Sequence, residues 1–528
     1  MYWADRVAKE IIDSGKYKQS FSAKKPYWID DMKTLSGYPT IGSLKGPVFH
    51  DLIYKALKHA GKDAKFTYLW NDFDPIDELS PEYKEKMSKY LGFPLRAAPS
   101  PVKGFPSFGE YFAVDFKKVL DSLGIEADYL SSWDLYHQGK FDEVIRIALD
   151  NAEKIQDIYE KVAGSKKREQ GWLPFQVICE SCGKIGTTRV YEWDGETVAY
   201  KCEKELVKWA EGCGHEGRVS PFGGNGKLPW KVDWAAHWKV LGVTIEGAGK
   251  DHTSAGGSLD IARAICKEIF HYPEPFSPQY EFILIGGKKM STSKGLGLKA
   301  REATDLLPEE LIRFLFSRFD YNQQVNFDPL GTMAIPDLFD EYDKCFRAYT
   351  ENGQEDLARA FEMSQIGKLP KEEKTYLPRF RDVVNLIQQP GVDLRNKFEQ
   401  MKGSPLNEEE LHNLKEREKY AKIWLEKYAP EELKTQMSES LPEAVNDLTA
   451  DQKKYLAEAA MLVEKATDPD QLQLDLYNLS KKLNLGGSNS FTAIYLSMIG
   501  KKYGPKAGHF LLSYPKEKVI ERLKEAAK

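Results

Sequence analysis

Hydrophobic and polar positions follow a helical period at the start of the chain. In MYWADRVAKEIIDSG, Trp3, Val7 and Ile11 recur at helical spacing with charged residues between them, which predicts an amphipathic helix. The segment lacks the continuous apolar core of a signal peptide, and no run of about 18 apolar residues occurs in the chain. We therefore expect a cytoplasmic protein with no membrane partner.

Two strand-like runs follow, with a helix-like run between them. The strand-like runs are KKPYWIDDMK and KFTYLW, and the helix-like run is PVFHDLIYKALKHAG. This alternation predicts parallel strands joined by a crossover helix. The predicted fold class is therefore α/β, with a doubly wound parallel sheet whose first half occupies residues 1–75.

The pattern becomes irregular between residues 76 and 230. A Pro- and Gly-rich stretch (GFPLRAAPSPVKGFPSFGEY) precedes a long helical run (FDEVIRIALDNAEKIQDIYEKVAG) and a group of cysteines. We interpret this region as an insertion between two halves of one sheet. Strand-like runs return in VLGVTIEGAG and YEFILIGG, so residues 231–330 are predicted to form the second half, with YEFILI as a buried strand.

Strand patterns nearly vanish after residue 330. In EEELHNLKEREKYAKIWLEKYA, five large side chains recur at helical spacing: Leu411, Leu414, Tyr420, Ile423 and Trp424. Residues 331–528 are therefore predicted to be an α-helical region.

Composition limits the class of protein without assigning a function. A chain of 528 residues exceeds one hydrophobic core, so two to four domains are expected. Charged residues make up 29% and hydrophobic residues 41%, which argues against disorder and fibrous repeats. The formal net charge of −5 neither supports nor excludes an RNA partner, because a local basic patch would be hidden in the sum.

Four of the six cysteines lie close together in the sequence: Cys179, Cys182, Cys202 and Cys213. In a reducing compartment this spacing predicts a tetrahedral zinc site within residues 175–220 rather than a disulfide framework. Four thiolates would saturate the ion, so its role would be structural. The segment KELVKWAEG separates the second pair, which leaves His215 as an alternative ligand. Cys266 and Cys345 are expected to be buried core thiols.

Two glycine-containing segments have the character of anion sites. In SGYPTIGSLKGPVFHDL a strand-turn-helix corner brings free N–H groups near Gly42, although a purely structural corner would have the same pattern. In GGKKMSTSKG, Lys289 and Lys294 surround small hydroxyl side chains. This segment is either a solvated turn or a mobile loop that brings lysines to phosphates.

The two segments occur in the order of the two signatures of class I aminoacyl-tRNA synthetases. KMSTSKG is similar to the KMSKS loop of that class, and Thr40-Ile-Gly-Ser43 occupies the place of its HIGH motif. More closely, the chain resembles class I lysyl-tRNA synthetases over nearly its whole length. The segments that carry this resemblance are YWADRVAKEII, SGYPTIGS, LWNDFD, WKVDWAAHW, GAGKDH, QYEF, KMSTSKG and FTAIYLSMIGKKYGP.

The resemblance implies a Rossmann-like catalytic domain with a zinc-binding insertion, followed by an all-α anticodon-binding region. It implies ATP-dependent activation of L-lysine to lysyl-adenylate, followed by transfer to the 3′ end of lysine tRNA. ATP with Mg²⁺ would be the substrate complex and Zn²⁺ a structural ion. We also expect a monomer that does not bind DNA.

The resemblance also implies roles for individual residues. The residues implied in catalysis are Lys289, Lys294, Ser291, Ser293 and Thr40. Those implied in ATP binding are Gly37, Thr40, Gly42, Ser43, Lys289, Met290 and Lys294. Those implied in lysine binding are Thr34, Ser36, Asp72, Trp230, Trp234, Asp251, His252 and Tyr280. From the residues alone, the tryptophans could equally be core, His252 structural and Asp72 a helix cap.

The chain departs from the family text at the first signature. Thr40 stands where the family has histidine, and a hydroxyl cannot carry the positive charge of an imidazole. His50 is not expected to replace it, because it follows Ser43 by about two helical turns. Met32, Lys33 and Leu35 also differ from the usual Gly-Ile-Thr-Pro text.

Two rival functions remain at this point. One is a catalytic paralogue that passes the activated amino acid to an acceptor other than tRNA. The other is a catalytically impaired, synthetase-like protein that binds zinc and RNA, which the missing histidine motivates.

Overall fold

The computed structural model describes residues 1–15, 25–164, 171–288, 298–351, 353–370, 375–389 and 392–528. These residues form two units, Met1–Phe327 with Lys344–Glu372, and Asp328–Asp343 with Glu373–Lys528. The predicted boundary at residue 331 lies close to the first division. The segment Lys344–Glu372 differs from the prediction because it belongs to the first unit, where Arg359 Nε lies 2.9 Å from Asp5 Oδ2.

The strands of the described residues all lie in the first unit, and most are short. In chain order they are β1 (Tyr27–Lys33), β2 (Ala64–Trp70), β3 (Asp128–Ser131), β4 (Gln176–Val177), β5 (Thr188–Trp193), β6 (Val198–Cys202), β7 (Glu216–Val219), β8 (Gly226–Lys227), β9 (Ala248–Gly249), β10 (Gln279–Tyr280), β11 (Ile283–Leu284) and β12 (Val325–Asn326). Strands β1, β2 and β3 are parallel, with Lys33 opposite Trp70 and Trp70 opposite Ser131 at their carboxyl ends.

Two further extended segments, around Ile245 and around Phe276, continue this sheet on the other side of β1. Ile245 N–H donates to Trp28 O over 3.1 Å, and Asp30 N–H donates to Ile245 O over 3.0 Å. The two segments run into β9 and β10, which pair in parallel. The predicted parallel sheet is confirmed. The order across the sheet is β3, β2, β1, the segment around Ile245 that runs into β9, and the segment around Phe276 that runs into β10. This order reverses direction at β1, as in doubly wound folds.

The helices in chain order are Trp3–Ser14, Lys45–His59, Pro81–Met87, Phe108–Ser122, Ser132–His137, Asp142–Asp150, Ala152–Ala163, Trp230–Leu241, Ser258–Glu268, Ala300–Leu306, Glu309–Ser317, Ala334–Thr350, Glu355–Ser364, Phe380–Ile387, Leu394–Lys402, Glu408–Lys427, Ala450–Lys465, Pro469–Lys482, Gly487–Ile499, Ala507–Leu512 and Lys516–Ala526. In the N-terminal helix, the predicted stripe of Trp3, Val7 and Ile11 is buried. Within the described part of the chain, every helix is too short or too polar to cross a membrane.

Two features of the sheet differ from the prediction. Strand β3 lies within residues 76–230, so the first half of the sheet extends past residue 75. Strand β3 has only four residues, all half-buried or exposed, and this run is too short for a sequence pattern to identify. The run 280–285 is not one buried strand, because β10 pairs with β9 whereas β11 pairs with β12, and only Ile283 in this run is buried.

The cysteine-containing region forms its own small antiparallel structure. Strands β5, β6 and β7 pair in that order, and β4 pairs with β8. The predicted long helix before this region is two helices, Asp142–Asp150 and Ala152–Ala163. The second unit has a helical core, and its longest helix, Glu408–Lys427, begins at a capping box in which Asn407 and Glu410 exchange hydrogen bonds of 2.8 and 2.9 Å.

A buried ionic cluster joins the sheet to the helix Trp230–Leu241. His237 Nε2 lies 3.3 Å from Asp30 Oδ2 and 3.4 Å from Glu246 Oε2, and all three side chains are buried. Burial alone would lower the pKa of His237, but the two carboxylates raise it to about 10. Burial also raises the pKa of Asp30 to about 6. The imidazolium is therefore the cation that keeps two carboxylates in the interior.

We expect the titration of His237 to make the first unit less stable at alkaline pH. Below pH 6.5 both the folded and the unfolded chain hold the proton, whereas between 6.5 and about 10 only the folded chain does. The free energy of unfolding therefore falls as pH rises through this window, by at most about 1.4 kcal/mol per pH unit. Urea unfolding followed by tryptophan fluorescence between pH 7 and 10 measures this change in stability. The fluorescence reports mainly on the first unit, because all tryptophans except Trp424 lie there.

His237→Gln is the comparison variant for this experiment. It should cost about 3–5 kcal/mol at pH 7, because two buried carboxylates lose their cation. The free energy of unfolding of this variant should also not show the fall with rising pH that the titration of His237 causes. Equal slopes for the two proteins between pH 7 and 10 would show that His237 does not carry the charge.

Candidate active site

Two neighbouring cavities open at the carboxyl end of the parallel sheet, in the first unit. Their volumes are about 650 and 270 Å³. The residues that line both are Asp31, Met32, Lys33, Gly249, His252 and Tyr280. Ligands of doubly wound sheets bind at this edge, where the strand order reverses. Residues far apart in sequence therefore meet here because β1, β9 and β10 end together.

The larger cavity collects most of the residues predicted to bind lysine. Those in its lining are Thr34, Ser36, Trp230, Trp234, His252 and Tyr280. Asp251 lines the smaller cavity. Asp72 lines neither, because its carboxylate accepts hydrogen bonds from Ser131 Oγ (2.7 Å), Ser132 Oγ (3.1 Å) and Trp133 N–H (2.9 Å). Asp72 thus caps the helix Ser132–His137, which is the alternative role that the sequence left open.

Aromatic rings form one wall of the larger cavity. Trp230 and Trp234 lie one turn apart on their helix and stack with ring centroids 5.0 Å apart. His252 meets both rings edge-on, at 5.3 and 5.8 Å. Trp234 Nε1 donates to Glu246 Oε1 over 3.0 Å. The ionic cluster beneath the sheet therefore also fixes the orientation of this ring.

Acidic residues line the rest of the larger cavity. Thr34 Oγ1 donates to Asp74 Oδ2 over 2.6 Å, and Lys227 Nζ lies 2.6 Å from Asp74 Oδ1. Asp77 and Glu78 also contribute to the lining. Aromatic faces and carboxylates together suit a ligand with an alkyl stem and a positive charge.

The smaller cavity lies against the first signature segment. Thr40, Gly42 and Ser43 line it, whereas Gly37 lines neither cavity. The 3-10 helix Ile41–Leu44 leads directly into the helix Lys45–His59, so a helix start faces this space. Two of its N–H groups are already engaged, Ile41 N–H with Leu298 O and Ser43 N–H with Thr40 O. Lys45 also lines it, and burial lowers the pKa of this lysine to about 8.

Gly46 brings two side chains from different strands close to the start of this helix. A Cβ at this position would lie 2.8 Å from Asp31 Oδ2 and 3.0 Å from the Tyr280 hydroxyl. One turn later, His50 is fully buried. Its Nε2 accepts from Gly247 N–H (2.8 Å), so the proton is on Nδ1, which donates to Gly46 O (2.8 Å). His50 therefore cannot replace the missing histidine at position 40.

The second signature lies outside the described residues, with Lys289, Met290, Ser291, Ser293 and Lys294. The segment that follows it is attached to the first signature. Ile41 N–H donates to Leu298 O, and Ala300 N–H donates to Pro39 O, both over 2.8 Å. The residues that follow the second signature, Leu298 and Ala300, are thus neighbours of the first signature.

The four clustered cysteines converge although ten residues separate the second pair. Their Sγ atoms all lie within 4.8 Å of one another. Cys179 Sγ is 3.6 Å from Cys213 Sγ, and Cys182 Sγ is 3.7 Å from Cys202 Sγ. Tetrahedral zinc with Zn–S bonds of about 2.3 Å separates its sulfurs by about 3.8 Å, so this arrangement fits the ion. His215 is not a member of the cluster.

Backbone hydrogen bonds close the segment that separates Cys202 from Cys213. Cys202 N–H donates to His215 O, and Gly214 N–H donates to Cys202 O, both over 2.8 Å. Gly212 passes so close to Glu203 that a Cβ would lie 2.2 Å from its carbonyl oxygen. The inserted residues therefore form a closed loop, and the two cysteines stay adjacent.

The sequence did not single out several cavity-lining residues for a binding role. They are Asp31, Lys33, Asp77, Glu78 and Glu246. None belongs to a recognisable motif. Lys33 alone carried a signal, because it departs from the family text.

Comparisons with known proteins agree with this architecture. Residues 1–367 match the family described as "tRNA synthetases class I (K)". A lysine-tRNA ligase of Archaeoglobus fulgidus is 34% identical over 530 residues, covering 100% of both chains. Those of Methanosphaera stadtmanae and Methanocaldococcus jannaschii are 31% and 33% identical, each covering 99% of both chains. The chain therefore belongs to the class I tRNA synthetases of the lysine type.

Proposed function

We propose that the protein ligates L-lysine to lysine tRNA in translation, with ATP as the energy source. The family match and the full-length similarity to lysine-tRNA ligases carry this conclusion. The lysine carboxylate attacks the α-phosphorus of ATP, pyrophosphate leaves, and lysyl-adenylate forms. A hydroxyl of the terminal ribose then attacks the acyl carbon, and AMP leaves.

The larger cavity is the proposed lysine site. Trp230 and Trp234 would cover the aliphatic stem, with His252 packed against both rings and Tyr280 also in the lining. The acidic lining would accept hydrogen bonds from the ammonium groups. Support for this assignment comes from the stacked rings and from the carboxylates that face the same space.

The smaller cavity is the proposed nucleotide site. The helix start at Gly42 and the hydroxyls of Thr40 and Ser43 would bind phosphate oxygens. Lys289 and Lys294 would neutralise the triphosphate, with Ser291, Ser293 and Met290 shaping their loop. The hydrogen bonds between the Leu298 and Ile41 segments support this arrangement, because they hold the residue that follows the loop next to the proposed phosphate site. Mg²⁺ would accompany ATP as part of the substrate.

The reaction demands little acid-base chemistry in its first step. The lysine carboxylate is already ionised, so no general base is needed. The protein must instead hold two anions together and stabilise the charge that develops on the phosphate oxygens. Adjacent cavities, one acidic and aromatic and the other at a helix start, suit these two tasks.

A catalytically impaired zinc- and RNA-binding protein is not favoured. The lining of both cavities and the similarity over the full length of lysine-tRNA ligases support an active enzyme. We further propose that the second unit binds the tRNA anticodon region and that the protein is a cytoplasmic monomer. Exposed aromatics support tRNA binding, such as Tyr477 with Lys481 Nζ 4.4 Å from its ring centroid.

Lysine-dependent exchange of pyrophosphate into ATP tests the proposed function. We expect exchange with lysine and not with the other standard amino acids, measured with and without tRNA. Lys294→Ala should reduce the rate by about 10²–10³-fold, because it removes a charge that acts in the transition state.

Lys117→Ala is the control for that variant. Lys117 pairs with Asp121 on an exposed helix face (2.8 Å), so its loss should leave the exchange rate unchanged. If the protein binds tRNA but shows no pyrophosphate exchange either with or without tRNA, the result would instead support the interpretation as an impaired RNA-binding protein.

We also propose that Cys179, Cys182, Cys202 and Cys213 hold one structural Zn²⁺. The distances among their sulfurs and the closed loop between the second pair support this assignment. Four thiolates leave no coordination position for a substrate. The ion would stiffen the small antiparallel sheet β5-β6-β7.

We expect about one zinc per chain, measured by plasma mass spectrometry on protein purified without added metal. Cys182→Ser should lose the ion and lower the melting temperature of the first unit, because zinc binding contributes to folding. His215→Ala should retain the ion. Zinc loss in His215→Ala but not in Cys213→Ser would assign the fourth ligand to the histidine.

A further inference from the structure

Lys33 lies where the two cavities meet. It is the last residue of β1 and lines both the larger and the smaller cavity. Because side chains alternate along a strand, it shares a face with Asp31, whose carboxylate lies against the start of the helix Lys45–His59. A ligand that spans the two cavities must pass this side chain.

The Lys33 ammonium has no protein partner in the described part of the chain. No hydrogen bond or ion pair of its side chain is found there. Burial lowers the pKa of Lys33, and the fields of Asp31 and Asp251 only partly oppose this effect. A half-buried cation without a partner has lost hydration and gained no hydrogen bond in return. An anion in the cavity would supply that partner.

Other buried lysines of this region have their ammonium groups engaged. Lys45, the second lysine in the lining of the smaller cavity, donates to Phe316 O over 3.4 Å. Lys227 lies 2.6 Å from Asp74 and 3.3 Å from Asp233. Unlike the ammonium groups of Lys45 and Lys227, that of Lys33 has no contact within the described protein that accounts for its position.

We propose that Lys33 binds the α-phosphate of ATP and supplies there the positive charge that Thr40 cannot carry. This inference rests on the proposed function. The amino acid occupies one cavity and the nucleotide the other, so the lysine carboxylate and the α-phosphate must meet at their junction. Lys33 is the cation at that junction among the described residues that line the two cavities.

The role is electrostatic and leaves Lys33 protonated throughout. A carboxylate oxygen forms a bond to the α-phosphorus, and the bond from that phosphorus to the bridging oxygen breaks. The electron pair of the broken bond leaves with pyrophosphate. The charge on the non-bridging oxygens is stabilised by the fixed ammonium, and no proton is transferred.

Calorimetric titration with MgATP and with adenosine tests this inference. The two ligands share the nucleoside and differ in the phosphates. In Lys33→Met we expect the affinity for MgATP to fall about 10- to 100-fold, as for the loss of a charged hydrogen bond, with adenosine binding unchanged. Lys65→Met, in which a lysine on the neighbouring strand β2 is lost, should bind both ligands like the wild type.

A second variant tests whether Lys33 replaces the missing histidine. Adding Thr40→His to Lys33→Met should restore at least part of the lysine-dependent pyrophosphate exchange, because an imidazolium would again face the α-phosphate. Lys33→Arg should retain more exchange than Lys33→Met.

Two results would overturn the inference. Equal losses for MgATP and adenosine in Lys33→Met would assign Lys33 a purely structural role. Weaker binding of lysine with unchanged binding of MgATP would assign the ammonium to the amino-acid carboxylate. Failure of the wild-type protein to bind MgATP would contradict the proposed function itself and is distinguishable from both.

Discussion

The ionic cluster of Asp30, His237 and Glu246 holds together the part of the molecule on which the cavities depend. Asp30 belongs to β1, His237 to the helix Trp230–Leu241, and Glu246 to the segment that extends the sheet. Each carboxylate receives a further hydrogen bond, Asp30 from Thr67 and Glu246 from two tryptophan indoles. Breaking such a buried network by removing one member costs far more than an exposed ion pair. The cluster therefore fixes the sheet edge and the aromatic wall relative to each other.

Parallel topology then concentrates the chemistry at one place. The strands β1, β9 and β10 end at the same edge, and the helix Lys45–His59 begins there. The edge consequently offers carboxylates, aromatic rings and a helix start within two adjoining cavities. A reaction that joins a cationic amino acid to a polyanion needs these groups side by side, and the fold supplies them without a dedicated catalytic base.

Short-range patterns in the sequence were sufficient where the physical signal is local. Helical spacing located the N-terminal helix, and the alternation of strand-like and helix-like runs predicted the parallel sheet. The cysteine spacing singled out the four residues whose sulfurs converge. Patterns failed where the signal was weak or broken. Strand β3 has four half-buried or exposed residues, and the apolar run 280–285 divides between two pairs of strands.

The sequence by itself determined the class of fold, the order of the two signature segments and the family, because each depends on residue type and spacing. The tertiary structure alone decided which side chains line the two cavities. It assigned Asp72 to a helix cap, buried His50 between two backbone groups, and left Lys33 at the junction of two cavities without a partner. The physical reason is that burial and partners arise from contacts between residues far apart in the chain, such as His50 and Gly247, which are 197 positions apart. No local pattern records those contacts.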